Sequence, residues 1–232
     1  MGILYIVSTP IGNMDDLSFR AAKTLFSVDF IACEDTRKTG LLLEYIKNNI
    51  LKNNNTHPKL ISFYDEVETL KLSEILGILL NDKNVALVSD AGTPLISDPG
   101  FKLVRECLKN EIKVVSIPGP TSIIAALSIS GLPTDKFSFY GFLPEKKSHA
   151  ISLLNSIKQN QTLIKTTNII FVSPYKIMGN LESMLEVFGD IEIVIARELT
   201  KIYEEVKKDK ISNIIDKYKS KRPKGEIVIL WN

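Results

Sequence analysis

Four short stretches concentrate the side chains able to do chemistry, and each follows directly on an apolar run. They are Ser8-Thr9-Pro10-Ile11-Gly12-Asn13, Glu34-Asp35-Thr36-Arg37-Lys38, the twelve residues Ser89 to Gly100, and Pro118-Gly119-Pro120-Thr121-Ser122. The third is the most informative, with two Gly, two Pro, two Asp, two Ser and one Thr beyond an apolar strand. Gly92 would let backbone approach a flat ligand closely, and prolines would fix that surface before anything binds. Two tight turns, with Pro99 opening a helix, would explain the same residues. Thr121 and Ser122 stand at the start of a small-residue helix, a place suited to a carboxylate or phosphate, although ordinary capping accounts for them equally. Glu34 to Lys38 sets two carboxylates and two cations within five residues. A capped helix start with a local ion pair would use them, yet such pairs contribute only ~0–1 kcal/mol at a surface, so stability explains the cluster weakly.

Several chemistries are absent. The sequence has no Gly-x-Gly pair and no Gly-Lys-Ser/Thr, which argues against a dinucleotide fingerprint or a phosphate loop. His57 and His149 show no ligand spacing and there is no Cys-x-x-Cys, so no metal site is expected. Asn53 to His57 reads as a polar surface loop. Cys33 and Cys107 sit among apolar neighbours and read as buried reduced thiols, which points to a cytoplasmic protein.

These clusters need a scaffold. The chain of 232 residues is 44% apolar and 24% charged with a formal net charge of +2, so it should fold as a soluble α/β protein and not coat nucleic acid through its overall field. It lacks the ~18–20 unbroken apolar residues of a membrane span. Ile3 to Val7, Phe30 to Cys33, Leu60 to Phe63, Val85 to Val88 and Lys113 to Ile117 read as parallel strands. Helices near Leu17 to Ser27, Thr36 to Asn48, Glu66 to Leu80 and Gly100 to Lys109 join them. In such sheets ligands bind beyond the carboxyl ends of the strands, where all four stretches fall. The rhythm breaks at Pro118-Gly119-Pro120, so the expected division is an amino-terminal domain over 1–117 and a mixed-sheet domain over 118–232. The later strands are expected at Phe137 to Phe142, Asn168 to Val172, Ile191 to Ala196, Tyr203 to Lys207 and Glu226 to Leu230. The last two are expected as an antiparallel pair. The basic tail (Lys207, Lys208, Lys210, Lys217, Lys219, Lys221, Arg222, Lys224) reads as a solvated helix face, with a phosphate track as the alternative.

Ser8-Thr9-Pro10-Ile11-Gly12-Asn13, Cys33 to Arg37, Ser89 to Gly100, Ser130-Gly131-Leu132-Pro133-Thr134-Asp135, Gly141-Phe142-Leu143-Pro144 and Arg197-Glu198-Leu199-Thr200-Lys201 closely resemble one family across essentially the whole chain. It is the bacterial small-subunit ribosomal RNA methyltransferase I family, within the tetrapyrrole methylase superfamily. The resemblance implies two α/β domains, the first with a five-stranded parallel sheet and the second with a five-stranded mixed sheet, enclosing S-adenosylmethionine in a cleft between them. It also implies a homodimer that methylates a cytidine ribose 2′-hydroxyl in the decoding centre of 16S rRNA within the small ribosomal subunit.

By position, the resemblance places the cofactor against Pro10, Ala91, Gly92, Thr93, Ile96, Thr121, Ser122, Val172 and Leu199. Asp35, Glu198 and Lys201 become the candidates for catalysis, with Asp35 or Glu198 as base. Arg37, Lys38, Arg197, Lys146 and Lys147 become candidates for gripping RNA. The chain departs from the family's Tyr-Glu-Ser-Pro-His-Arg at Phe171-Val172-Ser173-Pro174-Tyr175-Lys176. Two rivals are a methylase of a corrin or porphyrin precursor and a non-catalytic sensor of S-adenosylmethionine or a nucleotide. The first turn lacks the glycines that porphyrin-directed relatives usually carry, and a sensor has no need of the two charged clusters.

Overall fold

Five short runs in the first half become strands because each is β-branched or apolar and bounded by turn residues. They are β1 (Ile3–Val7), β2 (Phe30–Cys33), β3 (Lys59–Ser62), β4 (Val85–Val88) and β5 (Lys113–Ile117). In the computed structural model, which describes residues 1–52 and 57–232, they form a parallel sheet in the order β3-β2-β4-β1-β5. Four helices cross over it, α1 (Phe19–Ser27), α2 (Thr36–Asn49), α3 (Asp65–Leu80) and α4 (Phe101–Lys109). β4 is buried at every residue because successive side chains point to opposite faces, both of them covered. Ala86 and Val88 join Ala22, Leu25, Leu42 and Ile46 on one face. Val85 and Leu87 join Ile75, Leu79, Leu103 and Cys107 on the other. Each fully buried leucine or isoleucine there contributes about 1.5–3 kcal/mol. Both cysteines are free and buried, and burial pushes the Cys107 thiol up to about 11. The asparagine-rich stretch from Asn53 to Thr56 lies outside the described residues, and His57 beyond it is exposed.

The chain divides into two compact units, Met1–Thr121 and Ser122–Asn232. The second carries α5 (Ser122–Ile129), β6 (Phe137–Phe142), α6 (Lys147–Leu163), β7 (Thr167–Val172), α7 (Ile177–Phe188), β8 (Glu192–Arg197), β9 (Glu205–Lys210), α8 (Ile211–Ser220) and β10 (Ile227–Trp231). Its sheet runs β6-β7-β10-β8-β9, with β6 and β7 parallel and every other pairing antiparallel. The mixed sheet is as expected, but the antiparallel pair is not. β10 is enclosed between β7 and β8, whereas β9 takes the outer edge beside β8. The reason lies in composition. β10 reads Ile-Val-Ile-Leu-Trp and is buried throughout, so it needs two neighbours. β9 reads Glu-Val-Lys-Lys-Asp-Lys, and charge suits an edge that must not pair further. Lys207, Lys208 and Lys210 therefore belong to an edge strand and not to a helix face. Ile170, Ile195, Ile229 and Trp231 of this sheet pack with Leu154, Leu181, Met184 and Ile214 of α6, α7 and α8.

Candidate functional site

In the first unit, Gly92 joins the two proline-bearing turns. Thr9 N–H donates to the Gly92 carbonyl at 2.8 Å and Gly92 N–H donates to the Thr9 carbonyl at 3.1 Å. Gly92 lies at φ +83°, where a side chain is strained, and a Cβ there would stand 3.3 Å from Ile11 Cγ2, which would have to give by a few tenths of an ångström. The Ser8 and Thr93 hydroxyls meet at 3.0 Å, and Thr93 Oγ1 donates to the Pro120 carbonyl at 3.1 Å. Three of the four stretches singled out above are thus tied around one point. Pro10 is buried, Ala91, Thr93 and Thr121 are half-buried, and Ile96 is an exposed apolar side chain on the same loop.

The 89–100 loop holds two left-handed non-glycine residues, Leu95 at φ +74° and Ser97 at φ +68°. Each such residue costs on the order of 1–3 kcal/mol, so the surroundings must enforce the shape. One end of the loop is anchored by Glu68 of α3, buried at 6% exposure, whose Oε1 accepts from Gly100 N–H at 3.0 Å while Oε2 pairs with Lys102 at 3.2 Å. That carboxylate caps α4 from a neighbouring helix. Gly100 is the N-cap, so Pro99 precedes the helix and does not open it. At its other end the loop is clamped to the charged stretch. Glu34 Oε1 accepts from Asp90 N–H at 3.0 Å, Asp90 Oδ1 accepts from Asp35 N–H at 3.2 Å, and Lys38 Nζ pairs with Asp90 Oδ2 at 2.6 Å.

Asp35 is the N-cap of α2, accepting from Arg37 N–H at 2.8 Å, and it is also gripped by the Arg37 guanidinium at 3.0 and 2.8 Å. Those contacts hold its carboxyl far below the usual range. Two neighbouring acids behave oppositely. Burial, reinforced by the charge of Glu34, pushes Asp98 up to about 6, and burial also raises Glu34. Residue type and spacing single out none of Glu34, Glu68, Asp90 and Asp98 for these parts, although Glu34, Asp90 and Asp98 fall inside the chemistry-bearing stretches. Glu68 is 32 residues from its partner Gly100 and carries no local signal.

In the second unit, Val172 ends β7 opposite Ile227, which in turn faces Arg197 at the end of β8. The chain then passes through Glu198 at φ +51° and Thr200 at φ +65°, with Leu199 buried between them. Glu198 Oε1 accepts from Lys201 Nζ at 2.9 Å and from Glu226 N–H at 3.1 Å. Gly225 leaves the space, since a Cβ there would lie 2.2 Å from the Glu198 carboxylate. Burial alone would raise the Glu198 carboxyl, but Lys201 and the Glu226 N–H outweigh it and hold it ionised; burial would likewise lower Lys201, but its two carboxylate partners keep it raised. Arg197 is engaged structurally, donating to Glu205 at 3.2 Å and to the Lys224 carbonyl at 3.0 Å. Lys146 stands at the N-cap of α6 and Lys147 pairs with Glu186 at 3.0 Å, well separated in sequence from the Glu198 loop. Ser122 opens α5.

Among the described residues no group of histidines, cysteines and acids could hold a metal ion, and no helix is long and apolar enough to cross a membrane. The donor set around Gly92 suits S-adenosylmethionine. It offers a glycine cradle, an exposed isoleucine and half-buried hydroxyls for an adenine and its ribose, with carboxylates for a cationic donor.

Comparison with known proteins shows the family. Residues 3–215 match the family model of Tetrapyrrole (Corrin/Porphyrin) Methylases. The protein of Thermotoga maritima named Ribosomal RNA small subunit methyltransferase I is 44% identical over 230 residues, 99% of this chain and 98% of that protein. The protein of the same name from Vibrio cholerae is 45% identical over 232 residues, 98% of this chain and 76% of that one. Among solved structures, diphthine synthase aligns with a TM-score of 0.74 at 14% identity, covering 99% of this chain and 89% of the other. Uroporphyrin-III-C-methyltransferase from Thermus thermophilus aligns at 0.65 and 16%, covering 99% and 94%. At such identities these two structures support the fold alone.

Proposed function

This chain belongs to the tetrapyrrole methylase family, and from that membership we propose that it uses S-adenosylmethionine to methylate small-subunit ribosomal RNA, at the ribose 2′-hydroxyl of a decoding-centre cytidine. The observation that carries the reading is the end-to-end likeness to relatives named for ribosomal RNA methylation, which takes in both the loops around Gly92 and the Glu198 loop. We assign it a homodimeric state and a cytoplasmic setting on the same ground.

When bound, S-adenosylmethionine supplies a methyl group on a sulfonium sulfur. The chain's part is chiefly positional, because in-line transfer gains most from holding the reactants in register. Gly92 and Ala91 present backbone, Pro10 and Pro94 keep that backbone rigid, and Thr93, Thr121 and Ser122 present hydroxyls. Ile96 gives an apolar wall, and Val172 and Leu199 are the second unit's assigned contacts. The ribose hydroxyl is a weak nucleophile, so a positioned carboxylate that takes its proton would contribute about 10²- to 10⁴-fold. We assign that role to Glu198, oriented by Lys201, with Asp35 as the other candidate. Since Lys201 stabilises the ionised Glu198, the gain should fall at the lower end of that range. Arg37, Lys38, Arg197, Lys146 and Lys147 are assigned to RNA phosphates, which Arg and Lys bind well, although Arg37, Lys38, Arg197 and Lys147 must first release their carboxylate partners.

The test is incubation with labelled S-adenosylmethionine and either small ribosomal subunits from cells lacking the protein or a tetrapyrrole precursor, followed by mass spectrometry of the RNA. Label on one cytidine ribose is expected, and Glu198→Gln should lower turnover about 100-fold with donor affinity retained. Label on the tetrapyrrole, or donor binding with no transfer to either, contradicts the reading.

A further inference from the structure

The cations of the second unit are not equivalent. Lys207, Lys208, Lys217 and Lys219 are each matched by a carboxylate, Asp209, Glu192, Glu205 and Asp216 respectively. Their charges are largely spent within the fold. The connection between α8 and β10 is different. Lys221, Arg222 and Lys224 are all exposed, and among the described residues none of the three forms an ion pair. Three uncompensated charges therefore occupy four consecutive positions.

The backbone beneath them is fixed. Pro223 is buried between the exposed cations. Lys221 N–H closes α8 on the Lys217 carbonyl at 3.3 Å, and the Lys224 carbonyl accepts from Arg197 at 3.0 Å. Just beyond, Glu198 N–H donates to the Glu226 carbonyl at 3.0 Å and Glu226 N–H donates back to the Glu198 carboxylate at 3.1 Å. The connection is thus stapled to the strained loop that carries Glu198 and Lys201. Flexible surface lysines pay an ordering cost when they grip an anion, and a braced segment pays less of it.

We propose that Lys221, Arg222 and Lys224 form an RNA-backbone contact that holds the phosphates flanking the methylated nucleotide beside the Glu198 loop. This deepens the functional reading above and rests on it. Cations that lack carboxylate partners displace the counterions of a nucleic acid outright, whereas paired lysines must first give up their own partners. Spacing supports the assignment, because in Lys-Arg-Pro-Lys only the proline is buried and the three cations around it are all exposed.

The test is the salt dependence of binding to small ribosomal subunits isolated from cells lacking the protein. The variant Lys221→Ala/Arg222→Ala/Lys224→Ala should flatten the slope of log affinity against log salt by about 2 and weaken binding about 100-fold near 0.1 M salt. Its affinity for S-adenosylmethionine alone and its circular dichroism should match wild type. A control, Lys207→Ala/Lys208→Ala/Lys219→Ala, removes the same formal charge from paired positions and should change the slope by much less. A wild-type slope in the first variant, or an equal loss in both, overturns the contact while leaving the functional reading intact. No salt-dependent binding by wild type, with S-adenosylmethionine still bound, brings down the RNA reading itself and this contact with it.

Discussion

The two rims of the parallel sheet both carry aspartates and glutamates, but only one of them holds acids raised by burial. At the amino rim, Asp29 accepts from Asn84 N–H at 2.9 Å and from Lys83 at 3.1 Å, and Asp82 is held by the chain's own amino terminus. Both carboxyls are lowered by those partners, as suits charges that serve stability. At the carboxyl rim, Asp98 and Glu34 are raised, chiefly by burial, although Asp35 beside them is lowered by Arg37. Each rim also holds two left-handed non-glycine residues, Asp82 and Glu111 at the amino rim, Leu95 and Ser97 at the carboxyl rim. Acids raised by burial collect where a protein maintains a site against its own stability. The amino-rim acids are held by a cation, a backbone N–H and the terminal amine, whereas Asp98 and Glu34 at the other rim are kept largely against burial.

Removing the brace of each rim should separate the two most sharply. Glu68→Ala strands the Gly100 N–H and frees Lys102, a loss of about 2 kcal/mol that lowers Tm by about 4–8 °C. It should also weaken S-adenosylmethionine binding, because the 89–100 loop loses its anchor. Asp29→Ala should cost about 1 kcal/mol and leave donor affinity untouched. Equal effects on donor binding, measured by calorimetry, would abolish the distinction.

Titration should differ in sign. Asp98 binds its proton more tightly folded than unfolded, so its contribution to stability is full below pH 3.8 and is lost as pH rises through about 6. Asp98→Asn should therefore raise Tm at pH 8, by about 2–4 °C once solvent screening of a half-buried group is allowed for, and gain nothing near pH 4. Asp29 is the reverse. Its carboxyl is lowered, so its stabilisation is present above pH 3.8 and disappears as pH falls through the folded value, and Asp29→Asn should lower Tm at pH 7 only. Thermal melts across pH 2–8 check both.

The smallest effects sharpen the comparison through backbone strain. Ser97→Gly at φ +68° and Glu111→Gly at φ +57° each relieve a left-handed residue and should add about 0.5–1 kcal/mol. Only Ser97→Gly should slacken donor binding. Matching donor affinities in the two variants would mean that the strain at the carboxyl rim does no work.

Much of this is legible in the sequence because it is local. The strands of the parallel sheet announce themselves as short apolar runs, and the turns beyond them carry their own glycine and proline. What stays hidden is long-range or depends on context. Glu68 meets Gly100 across 32 residues, and nothing near position 68 announces a cap for another helix. Tyr203 reads as part of a strand because it is aromatic, yet Ile202 and Tyr203 are 95% and 74% exposed at a turn, and the strand begins at Glu205. Lysines give the same letters whether paired or bare, so the contrast between Lys217 and Lys221 emerges only in the folded chain. The charge state of Asp98 likewise depends on burial among Glu34 and Asp90, which no spacing predicts.

That the loops around Gly92 seat a methyl donor is tested most directly by calorimetric titration of S-adenosylmethionine into wild type and Gly92→Ala. One site per chain is predicted in wild type, with affinity at least about tenfold weaker in a variant whose added Cβ is strained at φ +83°, and with the far-ultraviolet circular dichroism of the two proteins superimposable. Absence of heat with wild type, or equal affinity in the two proteins, would contradict it.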